Sequence, residues 1–525
     1  MEPGERASRW LWGLTAALYL TAFPYHPGLR SPNELCRLWQ SRAIVEDGRL
    51  DLNGVIQRDG MVGDLSRVET PEPPGVKLYP SKAPLLSFLG VPVYAVLKAA
   101  LGRVSDVRQV YWSRLFFVVL PSLFGVWLLR RFLRRRLEAA WADTLAVVYA
   151  VGTLAFSYAE TYMSHQLTAV LLFAAFYAAQ RTLEGAWRPR GWLLVGALSG
   201  LAVLNEYTAA LTVVVLAAWV VLRCLRPLPG QAHGAKALPL AVGLVVLSSA
   251  PFLGALMAYH TVCFGGPLES GYKHLNDAGY QGWHLGGFLG IRFPDARAFV
   301  LSFFSPLRGF FTLSPALLLG VLGLPLLRRG EATRGLFSLT VMLLVANAYF
   351  TSSFTYDSWG WCVGPRHLTP LVPFLVLPAG LWLEARERSS ESSSAMLLGL
   401  GLGLAVSSVL AMGLVGLHNY VPDDVSTSLF GLVLPVYRDG FLPPTLLWLL
   451  GLDNPLSGLA VLLELLALVV LLSWRFLGSR PGPVVVAAAA AVAVHLGLLA
   501  LATTHDEHDV GAVHFLESVW LAPPR

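Results

Sequence analysis

Apolar windows of roughly 20 residues recur from one end of the chain to the other, and a helix of that length spans the hydrocarbon core of a bilayer. They fall near 10–23, 112–129, 139–157, 163–180, 190–205, 207–223, 237–259, 310–327, 335–351, 367–384, 395–416, 445–473 and 482–503. This pattern predicts an all-α polytopic membrane protein with about 13 transmembrane helices. No small-x-small cleavage site follows the first window, so it is expected to remain as the first helix rather than to be removed as a signal peptide.

One further apolar run, Ala83 to Leu101, is left out of the spanning set. If it crossed, the cluster Arg130, Arg131, Arg134, Arg135 and Arg136 would lie outside and every later connection would invert. With the run in the outer interface, each short basic connection falls on the cytoplasmic side: 181–190, 223–236, 328–334, 386–388 and 475–480. The N-terminus is then cytoplasmic and the C-terminus outside. Three longer segments face outward, 26–111 (including the interfacial run), 260–309 and 417–444, with a short one at 352–366. The chain divides into a transmembrane region, 1–385, and C-terminal transmembrane helices, 386–525, that carry the 417–444 loop. No fixed-period repeat is present, and the one low-complexity stretch, Ser389 to Ser394, reads as a solvated linker.

Composition agrees with this class: 55% of residues are apolar, 14% are charged and the mean hydropathy is +0.57. Soluble enzymes and disordered chains are excluded. The net charge of +6 reports orientation, so no nucleic-acid partner is expected. Cys36, Cys224, Cys263 and Cys362 form no C-x-x-C pair; one disulfide between outward loops stays open.

The polar chemistry lies in the outward segments. Asn33, Glu34 and Arg37 follow the first helix, offering either a carboxylate that takes a proton from an acceptor or a local Glu34–Arg37 ion pair. Asp47, Asp51, Asp59, Asp64 and Glu69 alternate with bases like a solvated loop. Lys82 stands at the lip of the interfacial run, where an ammonium meets a lipid phosphate or merely snorkels. His165, Glu206 and Tyr207 mark helix ends at the same level, and Glu269 with Tyr272 occupies a turn-rich loop. Trp359, Arg366 and His367 join an aromatic face to a guanidinium fork suited to sugar and phosphate. The tail His505-Asp506-Glu507-His508-Asp509 has ligand-type residues but fixes no metal geometry. Glu464 and His495, inside apolar windows, should turn toward the bundle interior. There is no Walker loop, no G-x-G-x-x-G and no D-x-D of the soluble nucleotide-sugar kind.

Taken together, Asn33-Glu34, the Lys82-Ala83-Pro84-Leu85 step, the His165 helix start and Gly364-Pro365-Arg366-His367 resemble the membrane-embedded C-type (GT-C) glycosyltransferases. The nearest branch is that of the bacterial relatives of dolichyl-phosphate-mannose protein mannosyltransferases and the aminoarabinose transferases of lipid A. The resemblance covers about the first 385 residues. It implies inverting transfer of a sugar, hexosyl or pentosyl, from a polyprenyl-phosphate donor to a protein, lipid or glycan acceptor at the outer face of a bacterial inner membrane. By motif match, Glu34 with Asn33 takes the catalytic position, and Lys82, Arg366 and Arg37 the donor phosphate. His165, Glu206, Tyr207, Glu269, Tyr272, Trp359 and His367 are then expected to bind substrate. No cofactor and no metal ligand set is assigned; Asn33, where many relatives have a second acid, leaves the part of a divalent metal open. The competing class is a transporter or flippase, which would place polar groups near the midplane on broken helices, often in two related halves.

Overall fold

The computed structural model describes residues 3–26, 28, 31–71, 75–287, 290–331, 333–354, 360–452 and 455–521. Each of the thirteen predicted windows contains a helix. Seven helices among the described residues are long and apolar enough to cross a membrane: Asp106–Leu133, Ala235–Phe264, Arg334–Ser353, Arg366–Glu387, Ser392–His418, Leu456–Leu477 and Gly482–Leu501. The other six windows hold shorter or more polar helices, Pro3–Thr21, Ala139–Val151, Ser164–Leu183, Gly191–Asn205, Ala209–Leu225 and Ala316–Leu327. The protein is all-α and polytopic. Among the described residues there is one two-stranded sheet, Leu65–Glu69 antiparallel to Val76–Pro80, in the first outward segment. The Asp106–Leu133 helix carries one π-helical stretch, Leu115–Val119, just before Pro121, whose missing N–H cannot continue the α ladder.

The two ends of the bundle differ in chemistry. At one end the short basic connections meet: Arg130 and Arg134 both grip Asp143 at 2.7 Å, Arg135 reaches Glu184 at 3.3 Å, and Arg388 bonds Glu138 at 3.0 Å. Arg480 pairs with Glu387, and the 181–190 and 223–236 connections join through the Ala232 N–H to the Leu183 carbonyl, 3.1 Å. At the other end, the residues after the first helix meet those after the 154–159, 191–205 and 392–418 helices. Helices thus run between an arginine-rich face and a face of mixed polar loops.

Pro32–Asp47 starts with Pro at its first position, where the absent N–H costs nothing, and is buried along most of its length. The Leu85–Leu101 helix lies against it. Ser41 Oγ donates to the Ser87 carbonyl at 2.6 Å near one end, and Lys98 Nζ meets Glu46 at 2.8 Å near the other. Tyr162, which sits at the loop end of the bundle, donates to the Leu86 carbonyl at 2.7 Å.

Glu464 accepts from Thr21 Oγ1 at 2.7 Å, and His495 meets the Thr312 carbonyl at 2.8 Å, so both intramembrane polar groups turn to helix neighbours. All four cysteines are free and buried, which removes the disulfide left open above. The acidic tail is a helix, Glu507–Leu521, instead of a ligand loop: Asp509 is buried and accepts from the Ser426 N–H at 2.7 Å and the His505 N–H at 3.2 Å.

Candidate functional site

Hairpin register builds the centre of the site. Because Leu65 pairs with Pro80, the residues just outside the hairpin, Asp64 and Ser81-Lys82, are brought side by side, and the Ser81 N–H donates to the Asp64 carbonyl at 3.0 Å. Asp64 takes the left-handed backbone (φ 58°), a region that Asp and Asn tolerate better than most residues. Lys82 Nζ then lies 3.2 Å from Asp64 Oδ1. The loop after the 235–264 helix is laced onto the same hairpin by Ser66 Oγ, which donates to the Gly271 carbonyl at 2.7 Å, and by the Asn276 N–H, which donates to the Leu65 carbonyl at 2.9 Å. Position 271 must be glycine, since a Cβ there would stand 2.8 Å from the Ser81 Cα. That close approach lays the Tyr272 ring under Lys82, 5.1 Å from Nζ to centroid.

Three cations act on Asp64. Burial alone would raise its pKa, but Lys82, Arg366 and Arg37 together outweigh burial and hold the carboxyl below its ordinary value. Burial likewise works against the Lys82 ammonium, and Asp64 more than compensates, so the lysine stays charged. Arg366 opens the 3-10 stretch Arg366–Leu371 that begins the Arg366–Glu387 helix, just after Gly364, whose φ of 62° lets the chain reverse there. Among the described residues the Arg366 Nε has no hydrogen-bond acceptor. Arg37 is fully buried; it donates to the Asn33 carbonyl at 2.7 Å and the Asn33 side chain, and reaches Ser164 Oγ at 3.3 Å, while its Nε is likewise unpartnered. Asn33 therefore aims Arg37.

A second layer flanks the cations. Ser164 Oγ donates to Glu206 Oε2 at 2.5 Å, and His165 Nδ1 lies 3.9 Å from the same oxygen. His165 stands edge-on to His367, centroids 5.3 Å apart. Tyr207 meets His260 Nε2 through its hydroxyl at 3.0 Å and the Tyr272 ring at 5.8 Å. Tyr272 also packs on His284 at 4.4 Å, and His284, its pKa lowered to about 4 by burial and by Lys82, is neutral. Tyr272 is thus a brace for Lys82.

The structure departs from the sequence expectations at Glu34 and Asn33. Glu34 does not pair with Arg37 and is not open to an acceptor: it is 2% exposed, and both oxygens are held by Arg114 at 2.8 Å, by the Tyr162 N–H at 2.5 Å and by the Tyr420 hydroxyl. A carboxylate so saturated has no lone pair directed at a substrate. Its Asn33 neighbour serves Arg37. Glu269 stays within its own loop, bonded to Lys273 at 3.0 Å. Trp359 lies outside the described residues. Lys82, Arg37, Arg366, His165, Glu206, Tyr207, Tyr272 and His367 do gather in one region.

Asp64, Arg114 and Tyr420 are the residues that sequence reasoning missed. Asp47 with Arg58 at 3.0 Å, Asp51 with Arg49 at 2.9 Å and Asp59 with Arg42 at 2.8 Å form ordinary ion pairs, but Asp51 and Arg42 are buried, so the segment is not the solvated loop expected of it. Asp64 is set apart from these pairs by the hairpin, which places it among three cations. Among the described residues no group of three His, Cys, Asp or Glu side chains is arranged to hold a metal ion.

No protein-family model and no curated protein matches the sequence. Solved structures do. The oligosaccharyltransferase of Archaeoglobus fulgidus in its apo form aligns with 80% of this chain at 12% identity and a TM-score of 0.42; the chain spans 56% of that protein's length. ArnT from Cupriavidus metallidurans bound to undecaprenyl phosphate aligns with 97% of this chain and 77% of its own, at 14% identity and a TM-score of 0.46. It is to these solved structures, at 12% and 14% identity, that the chain is similar.

Proposed function

We propose that the protein transfers a glycosyl group from a polyprenyl-phosphate donor to an acceptor hydroxyl or amine at the loop face of the membrane. The observation that carries this reading is the set of three cations, Arg37, Lys82 and Arg366, around the carboxylate of Asp64, at the start of the apolar Leu85–Leu101 helix. A lipid phosphate seats its charge among the cations while its hydrocarbon follows the helix. The acceptor atom attacks the anomeric carbon, the bond from that carbon to the phosphate oxygen breaks, and the electron pair leaves with the phosphate, where the three cations receive it. The acceptor proton passes to Asp64. Lys82 holds Asp64 ionised in the free protein; when the phosphate draws Lys82 to itself, Asp64 loses its partner and becomes the stronger base. Attack opposite the leaving phosphate inverts the anomeric centre.

The position of the polar groups favours this over a carrier. They collect at one end of the bundle, whereas an alternating-access site lies near the midplane. The test is release of free polyprenyl phosphate from a panel of radiolabelled lipid-phosphate sugars by the protein in nanodiscs. Release with none of them, in the presence of cell-envelope extract as acceptor, removes the reading.

The same reading sets the loop face outside and the arginine-rich face in the cytoplasm, with Leu85–Leu101 lying in the outer interface. With the native cysteines buried, single cysteines at Ser105 and Arg135, both exposed, report the topology. A membrane-impermeant maleimide is expected to label position 105 in intact cells and position 135 only after lysis. Labelling of 135 from outside contradicts the orientation.

A further inference from the structure

An apolar groove of about 710 Å³ lies far along the chain from the cation cluster, lined by Leu410 and Leu414, by Leu462, Leu465, Leu466 and Val469, and by Phe430 and Leu434. That size and lining are typical of a ligand pocket. Leu410 precedes the loop-face end of Ser392–His418 by eight residues, and Val469 follows the loop-face end of Leu456–Leu477 by thirteen, so at 1.5 Å per residue the groove runs roughly 12 to 20 Å inward. That is about one leaflet of a hydrocarbon core roughly 30 Å thick.

Among the described residues the charged and titratable groups of the lining stand at one end, and the Tyr437 hydroxyl is spent on the Leu414 carbonyl at 3.1 Å. Arg438 and His505 line the mouth. Arg438 Nε bonds Asp439 Oδ1 at 2.9 Å, Glu517 lies beside both, and His514 Nδ1 is 3.2 Å from Glu517. One fixed cation thus faces two carboxylates, with two exposed histidines at the edge. A purely anionic headgroup meets net repulsion there. The Arg438–Asp439 pair is exposed, with side chains at 76% and 37%, and such pairs cost little to open.

We infer that this groove holds one chain of a zwitterionic phospholipid with a primary ammonium, its phosphate on Arg438 and its ammonium on Asp439 and Glu517. The N–H donors distinguish it from a trimethylammonium headgroup, which has none to give. The site is independent of the transferase reading.

Native mass spectrometry of the full chain, released from detergent containing equal amounts of phosphatidylethanolamine, phosphatidylcholine and phosphatidylglycerol, tests this directly. The ethanolamine lipid is expected to be retained about two- to fivefold over either competitor, as for one or two exposed ion pairs. Asp439→Lys should move the preference to phosphatidylglycerol. Leu466→Trp, at a position 53% exposed and so able to fill the groove without overpacking the core, should reduce retention of all three at an unchanged melting temperature. Equal retention of the three lipids, an unaltered preference in Asp439→Lys, or undiminished retention in a folded Leu466→Trp protein each overturns the inference.

Discussion

Replacing Asp64 by Asn is expected to lower glycosyl transfer by about a hundred- to ten-thousandfold, the usual loss when a general base is removed, while polyprenyl phosphate still binds. Asn is nearly isosteric and also tolerates the left-handed backbone at this position (φ 58°), so the hairpin should keep its shape. The substitution removes a negative charge from among three cations, and binding of an anionic lipid should if anything tighten. Loss of turnover with retained or improved donor binding is a pattern that a misfolded variant does not give. The pH dependence has a definite sign. Asp64 is held below its ordinary pKa in the folded state, so the stability it contributes is present above the unfolded carboxylate pKa and is lost as pH falls through the lowered value. Thermal melts of wild type and Asp64→Asn should therefore converge only at acid pH. A fully active Asp64→Asn protein takes Asp64 out of the chemistry.

The second large effect concerns stability. Arg114 and Glu34 are about 2% and 3% exposed at the side chain and bonded at 2.7 Å, across a helix junction that also takes in the Tyr162 backbone and the Tyr420 hydroxyl. Removing one partner of such a buried pair leaves the other charge without compensation and costs about 3–5 kcal/mol. Arg114→Met and Glu34→Gln are each expected to lower the melting temperature sharply, and the double variant to recover much of the loss. Turnover per folded molecule of Glu34→Gln, measured beside its melting curve, separates this role from the catalytic one that the sequence motif suggests. If Glu34→Gln melts like wild type and is inactive, the carboxylate belongs to the reaction after all.

How far the sequence could be read follows from the range of the interactions. The helices depend on local hydropathy, and each predicted window contains one. Lys82 and Arg366 were recognisable because each stands at the edge of an apolar run, a feature visible within ten residues. The partner of Glu34 was not: Arg114 lies 80 positions away and Tyr420 lies 386 away, so the nearby Arg37 looked the more plausible partner. Asp64 was read with Asp47, Asp51 and Asp59 as one solvated series. Only the register Leu65 to Pro80, set by a strand pairing that the local sequence does not announce, sets it against Lys82. The close approach at Gly271, which brings Tyr272 to the same place from a loop some 190 residues later, is likewise invisible before the fold is known.

The central claim is that Arg37, Lys82 and Arg366 hold the phosphate of a lipid-linked donor. Equilibrium binding of radiolabelled polyprenyl phosphate to the protein in nanodiscs, for wild type, Lys82→Ala and Arg366→Ala, tests it most directly. Each alanine variant should bind at least about tenfold more weakly, the value of one charge-assisted hydrogen bond, and Arg366→Lys should recover only part of the loss because it lacks the planar fork. Binding that is unchanged in both Lys82→Ala and Arg366→Ala would place the phosphate elsewhere and contradict the account.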